Sequence, residues 1–157
     1  MQVADADFTT GRSHFWKIAW QIFLAHPISG AGFDSFGVAY TRFDTLNGSF
    51  RVEQAHNEYL QTLADGGILA FAALIFFIYL LFRKGLRVIT ETTDRFDRGI
   101  ALGALAGCVG ILTHSFFDFP LRTPANAFFF LTLAALGTNK VAALHSSRHR
   151  KSRSGAI

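Results

Sequence analysis

The sequence predicts an all-α integral membrane protein with about three transmembrane helices plus a helical segment on the outer, periplasmic face. Half of its 157 residues are hydrophobic, 18 residues are Phe, and the mean hydropathy is positive. Long uncharged runs alternate with short basic stretches, which is typical of polytopic membrane proteins. An ordinary soluble domain of this length is therefore not expected.

The net charge of +4 does not indicate nucleic acid. The basic residues adjoin apolar runs, where lipid headgroups and membrane topology explain them better. Membrane lipids are therefore expected partners, and nucleic acid is not. The lone Cys108 lies inside an apolar run, so it cannot form a disulfide within one chain.

Three apolar runs are the predicted spans. The run from Gly67 to Phe82 reaches ~24 Å as a helix, so it needs a turn from Leu60 to Ala64 to cross ~30 Å of hydrocarbon. The run from Gly99 to Phe117 is long enough by itself. The third begins at Pro124, which suits the first turn of a helix, and must extend to residue 144.

The basic residues predict the orientation, because cytoplasmic loops carry an excess of Lys and Arg. Five of them lie in the loop between the first two spans, and four lie after the third. Residues 1–66 then form an outer-face segment, 67–137 the transmembrane region, and 145–157 a basic cytoplasmic tail. The short loop 118–123 also lies outside.

The outer segment is predicted to contain one helix. Ser13 can cap a helix from His14 to Ala25, whose broad apolar face suits a helix lying on the membrane. Gly30 and Gly32 indicate a turn, and residues 34–54 are expected to be an irregular loop.

Small residues form a stripe along the second span. Gly99, Gly103 and Gly107 recur every four residues and predict close packing of another helix. His114 and Asp118 continue nearly the same face, so we expect this pair to face the helix bundle or a wet cavity.

Three short motifs follow one another along the chain: Gly11-Arg12 with Trp16 and then His26-Pro27-Ile28-Ser29-Gly30-Ala31-Gly32-Phe33; His56-Asn57 with Gly67; and His114 with Asp118-Phe119-Pro120-Leu121. In this order they resemble the O-antigen ligase and polymerase superfamily of bacterial membrane glycosyltransferases. The resemblance covers most of residues 11–137. The family usually has Gly, Thr or Tyr three positions after the glycine, where this chain has Ala70, so polymerase-like and protein-glycosylating relatives stay open.

The resemblance implies transfer of a glycan from a polyprenyl-diphosphate carrier to a hydroxyl of a glycan, lipid or protein acceptor in the bacterial cytoplasmic (inner) membrane. It implies His56 as the catalytic base and Arg12 as the catalytic arginine that holds the diphosphate. An imidazole can take a proton from an acceptor hydroxyl at neutral pH. No cofactor and no metal are implied. The implied substrate-binding residues are His114, Asp118, Arg122, Arg51 and Arg42.

Structural roles compete with these chemical ones. His56 can be an interfacial histidine at a helix start, with Asn57 as the N-cap. His114 can serve a hydrogen-bonding role, and an exposed arginine is commonly a headgroup contact. A metal site built from the histidines is disfavoured because their spacing is irregular.

Residues 1–15 lack the basic start and apolar core of a signal peptide. Export of the outer segment therefore predicts further transmembrane helices upstream, as in the family, and the chain is expected to be a carboxy-terminal part of a larger protein.

Two alternatives to glycan transfer stay open. The first is an inorganic-carbon-related transporter, a role that some relatives with this domain imply. Transport requires a polar path across the bilayer, but the inner halves of the spans hold almost no polar residue before Thr138. The second alternative is a truncated remnant of such an enzyme that has no catalytic activity.

We predict that residues 1–66 and 118–123 lie outside, because the arginines and lysines that set the orientation follow the first and third spans. In a Cys108→Ser background, a membrane-impermeant thiol reagent should label Asn47→Cys but not Glu91→Cys in intact cells. Labelling of position 91 without position 47 would reverse the orientation.

Overall fold

The computed structural model describes residues 8–45 and 52–140 of the chain, which contain helices and no strand. The predicted all-helical class is confirmed over these ranges. The predicted residues Arg51, 141–144 and 145–157 lie outside them. The elements in chain order are α1 (Phe8–Ala25), α2 (Phe36–Phe43), α3 (Glu58–Glu91), α4 (Arg95–His114), a 3-10 turn (Pro120–Arg122) and α5 (Pro124–Thr138).

Two helices, α3 and α4, are long and apolar enough to cross a membrane, and α5 is apolar but shorter. Large hydrophobic side chains on all three are exposed, including Phe76, Leu102 and Phe128. A soluble protein buries such helices, whereas lipid accepts apolar side chains. The membrane character predicted from composition is therefore supported by two helices, and the third span stays a prediction.

The described residues divide into two compact units. One consists of residues up to Phe76 together with Leu112–Thr123, and the other of Phe77–Ile111 with the residues from Pro124 onward. The candidate functional residues that the structure describes belong to the first unit.

The first unit has a hydrophobic core between α1, α2 and the start of α3. Because α1 residues four apart share one face, Ile18 and Ile22 both point inward, while Trp20 is 48% exposed. The core is closed by the loop before α3 and by the first turns of α3. Its fully packed members are Ile18, Ala19, Ile22, Phe36, Tyr40, Val52, Ala55 and Ala64.

Three local predictions are wrong. Helix α1 begins at Phe8, so Ser13 lies inside it and is not its cap. The segment 34–54 contains α2, because Phe36 and Tyr40, four residues apart, bury one face in the core. The second apolar run leaves the helix at His114 and turns, whereas the prediction continued it to Phe117.

Helix α3 is two helices joined at Gly67, which has φ 63° and ψ −164°. The turn from Leu60 to Ala64 therefore belongs to a separate first part and does not extend the span, contrary to prediction. Residues 68–91 alone reach ~36 Å, so the second part has the length to cross the hydrocarbon. Glu58 and Asp65 consequently precede the membrane-spanning part.

Only one member of the predicted glycine stripe packs closely within the described residues of the second unit. A Cβ added at Gly99 or Gly103 would meet no atom within 4 Å. Gly107 does pack closely, because a Cβ there would lie 2.9 Å from Leu133 Cδ1. The stripe prediction is thus wrong for two of its three members within the part of the chain that the structure describes.

Leu105 makes close helix contacts of the kind that the glycine stripe was expected to make. Its side chain is buried, and it would lie 2.6 Å from a Cβ at Gly85 and 3.1 Å from one at Gly137. Two helices thus approach α4 closely because each offers a glycine to the same leucine.

We predict that Gly85→Leu destabilises the second unit, because a large side chain there overlaps Leu105 and overpacking costs about 1–3 kcal/mol. Thermal unfolding in detergent should show this loss. Gly103→Leu is the matched control and should keep wild-type stability, since open space surrounds that position. Equal destabilisation by both substitutions would contradict the described packing.

Candidate functional site

His56 lies in a tight turn between an extended segment and the start of α3. Its φ of 51° places a non-glycine residue in the left-handed region, where a residue costs on the order of 1–3 kcal/mol. The turn is held on both sides. The Ala55 backbone N–H donates to the side-chain carbonyl of buried Gln61 at 2.8 Å, and Asn57 Oδ1 accepts from the backbone N–H groups of Tyr59 and Leu60.

Asn57 therefore is the N-cap of α3, as the structural reading of this pair expected. The cap does not replace a role for His56. The cap fixes the backbone of α3 immediately after His56. The strained backbone of His56 then holds its imidazole ring pointing in one direction.

That direction is toward Asp118. His56 Nδ1 lies 3.4 Å from Asp118 Oδ1, and the two side chains are 39% and 42% exposed. His114 Nε2 lies 3.9 Å from the other carboxylate oxygen of Asp118 and is 63% exposed. The carboxylate thus lies between two imidazoles, and His114 faces the surface and is not buried among packed helices.

Aromatic rings flank His56 on two sides. Phe15 of α1 stacks on the imidazole with ring centroids 6.1 Å apart, and Phe119 meets it edge-on at 5.1 Å. These rings restrict rotation of the imidazole, while its exposure leaves room for a reacting group. A half-exposed imidazole with a fixed orientation and a neighbouring carboxylate can act as a general base.

Arg122, which was predicted to bind substrate, contacts two carboxylates of the protein. Its Nη2 donates to Asp65 Oδ2 at 3.1 Å, and its Nε lies 3.3 Å from Glu58 Oε1 as an ion pair. Burial raises the pKa of both carboxyl groups, and the Arg122 guanidinium opposes that rise. The guanidinium is thus engaged within the protein.

Glu58 and Asp65 were not predicted as site residues, although the sequence carries a signal for them. With Gln61 they recur at i, i+3 and i+7, which places a polar stripe on one face of an otherwise apolar helix start. All three side chains are buried. Buried charges require partners, so this spacing indicates that a basic residue lies against the stripe, without indicating which one.

The loop after α1 sits directly on the helix break. Backbone N–H groups of Ala31 and Gly32 donate to the carbonyls of Ala64 and Asp65, and Ile68 N–H donates to the Pro27 carbonyl. Gly30 and Gly32 have positive φ, which confirms the predicted turn. The His-Pro-containing motif and the Gly67 motif, separate in sequence, therefore form one joint.

The other predicted arginines are Arg12, Arg42 and Arg51. Arg12 is partly buried on α1, three residues before Phe15, and Arg42 is exposed near the end of α2. Arg51 lies outside the described residues. Across residues 8–45 and 52–140, no group of three or more His, Cys, Asp or Glu side chains is arranged to hold a metal ion.

Sequence reasoning also missed a second polar cluster in the first unit. His14 Nε2 lies 3.5 Å from Asp44 Oδ1, and the Tyr40 hydroxyl donates to the same oxygen at 3.5 Å. Burial raises the pKa of Tyr40, and the Asp44 charge adds to the rise. The cluster links α1 to the residue that follows α2.

We predict that Gly67→Ala disrupts the joint. A Cβ there would lie 2.3 Å from the Ile28 carbonyl oxygen, and the positive φ disfavours any L side chain. The measurement is thermal unfolding in detergent with protease sensitivity of loop 26–35. Gly110→Ala is the matched control, because nothing lies within 4 Å of its added Cβ. Unchanged stability of Gly67→Ala would refute the described joint.

Comparison with known proteins supports the resemblance. Residues 2–75 match the family model described as O-antigen ligase, and they include Arg12, the loop after α1, His56 and Gly67. No curated protein and no solved structure gives a match. The predicted resemblance to the O-antigen ligase family is thus confirmed over residues 2–75.

Proposed function

We propose that the protein takes part in transferring a glycan from a polyprenyl-diphosphate carrier to an acceptor hydroxyl, as the carboxy-terminal part of an O-antigen ligase-like enzyme of the bacterial cytoplasmic membrane. The observation that carries the proposal is the approach of His56 Nδ1 to Asp118 Oδ1 at 3.4 Å. The match over residues 2–75 adds the reaction class.

In this mechanism Asp118 holds the His56 ring with a proton on Nδ1, so that Nε2 carries the lone pair. His56 Nε2 takes the proton of the acceptor hydroxyl while the hydroxyl oxygen attacks the anomeric carbon. The bond from that carbon to the diphosphate oxygen breaks, and the diphosphate leaves with the electron pair. Contacts of this kind are often long without substrate and shorten when it binds.

The leaving diphosphate requires positive charge. Arg12 suits this role, because it lies three residues before Phe15 on α1 and therefore on the face whose phenyl ring stacks on His56. Planar guanidinium groups bind phosphate oxygens in pairs. Arg42 and Arg51 are the other proposed contacts of the diphosphate or its glycan, and no metal is needed for the step.

His114 takes a supporting role in this proposal. It shares Asp118 with His56 and is the more exposed imidazole, so it lines the donor side of the site and does not remove the proton. Acceptors of three kinds fit the chemistry: a lipid-linked core glycan, another repeat unit or a protein hydroxyl.

The test is transfer from a polyprenyl-diphosphate-linked glycan by the complete protein in reconstituted membranes. His56→Ala and Arg12→Ala should each lower the rate by ~100-fold or more, because one removes the base and the other a charge facing the leaving group. Asn57→Ala should be milder, since a lost cap costs ~1 kcal/mol of helix stability. His114→Ala should give an intermediate loss.

His26→Ala is the matched control, because this exposed outer histidine lies at the end of α1. Its rate should stay within about twofold of wild type, as expected for surface substitutions. Transfer should persist with a chelator present. Wild-type turnover by His56→Ala would show that His56 is only part of the helix start.

A further inference from the structure

The loop that carries Asp118 is attached to α3 at both ends. Before it, the Glu58 backbone N–H donates to the Ser115 carbonyl at 2.9 Å, and the Tyr59 hydroxyl donates to the Leu112 carbonyl at 2.8 Å. After it, Arg122 reaches the first two turns of α3. Asp118 lies between these attachments, which together hold the loop against the start of α3 near His56.

The attachment after the loop is an ion-pair cluster. Arg122 pairs with two carboxylates seven residues apart on one face of α3, and the Asp65 side chain is 1% exposed. An ion pair removed from water is weakly screened, and a guanidinium that contacts two groups fixes direction as well as distance. Arg122 follows Asp118 by four residues, so it restricts where Asp118 can lie.

We propose that Arg122 is a positioning residue, which clamps the Asp118 loop to Glu58 and Asp65 so that Asp118 keeps facing His56. This inference rests on the proposed function. It differs from the donor-binding role implied by the resemblance, because the Nη2 and Nε atoms of Arg122 already face protein carboxylates. Arg122 acts through Asp118 and touches neither donor nor acceptor.

The clamp also explains a buried stripe that the reaction does not use. Glu58, Gln61 and Asp65 would be expensive to bury if they served only to cover α3. Arg122 already faces two acidic partners in this cluster, so its positive charge offers little attraction to a diphosphate at the same place. Anion binding is therefore expected elsewhere in the site.

The experiment is a double-mutant cycle on glycan transfer, using Arg122→Gln, Asp118→Asn and both together. Arg122→Gln alone leaves two buried carboxylates without a counter-charge and can prevent folding. The loss of the clamp is therefore also measured in the triple variant Arg122→Gln, Glu58→Gln, Asp65→Asn, which leaves no buried charge unpaired and should show the same fall in kcat. Arg87→Gln is the matched control, because Arg87 pairs with Glu91 on the surface.

If Arg122 acts through Asp118, Arg122→Gln should lower kcat about tenfold or more while the donor KM stays within about twofold. The double variant should be no slower than Asp118→Asn, because residues that act as one unit are not additive. Arg87→Gln should have no effect.

Three results would overturn the proposal: a raised donor KM at unchanged kcat, a loss that adds to that of Asp118→Asn, or no loss at all in Arg122→Gln. The first would show that Arg122 binds the diphosphate. Wild-type turnover by Asp118→Asn would instead remove the His56–Asp118 pair from the proposed function, and the clamp with it. The two failures are therefore distinguishable.

Discussion

The ion-pair cluster of Arg122 with Glu58 and Asp65 is the interaction that we propose holds the site together. Asp118 and His56 are separated by 62 positions in the sequence, and a contact of 3.4 Å between them survives only if the intervening chain returns to the same place. The cluster provides that return without using any group of the proposed reaction. Positioning and chemistry are thus assigned to different residues.

A second constraint is the break at Gly67. An unbroken α3 would continue the polar stripe of its first turns directly into the apolar span. The left-handed glycine ends the first part, and its backbone lies against the loop after α1. Polar side chains therefore gather before the break, and the residues after it are free to meet lipid. The motif from His26 to Phe33 and the motif that ends at Gly67 have a common physical role in forming the joint.

Much of the architecture could be predicted because it depends on local chemistry. Uncharged runs gave the apolar helices, Pro124 gave the first residue of α5, and Asn57 gave the cap of α3. Features set by contacts distant in sequence could not be read in this way. Helix α2 forms because its buried face meets α1. Gly85 and Gly137 are sites of close packing because each faces Leu105, which is distant in sequence.

The candidate site shows the same division. His56, His114 and Asp118 could be singled out as residue types, and the structure brings them together. The engagement of Arg122 could not be predicted from its own neighbours, because its partners lie 57 and 64 positions earlier. In the sequence, the need for a buried counter-charge is indicated only by the spacing of Glu58, Gln61 and Asp65.

The central claim is that Asp118 sets the tautomer of His56, and long-range ¹H–¹⁵N NMR correlation of the histidine-labelled protein in a membrane mimetic tests it directly. At a pH at which the imidazole is neutral, the account predicts a His56 proton on Nδ1 and a bare Nε2, with a shift toward the other tautomer in Asp118→Asn. A wild-type His56 that carries its proton on Nε2 would contradict the account, because the nitrogen proposed to take the acceptor proton would already be occupied.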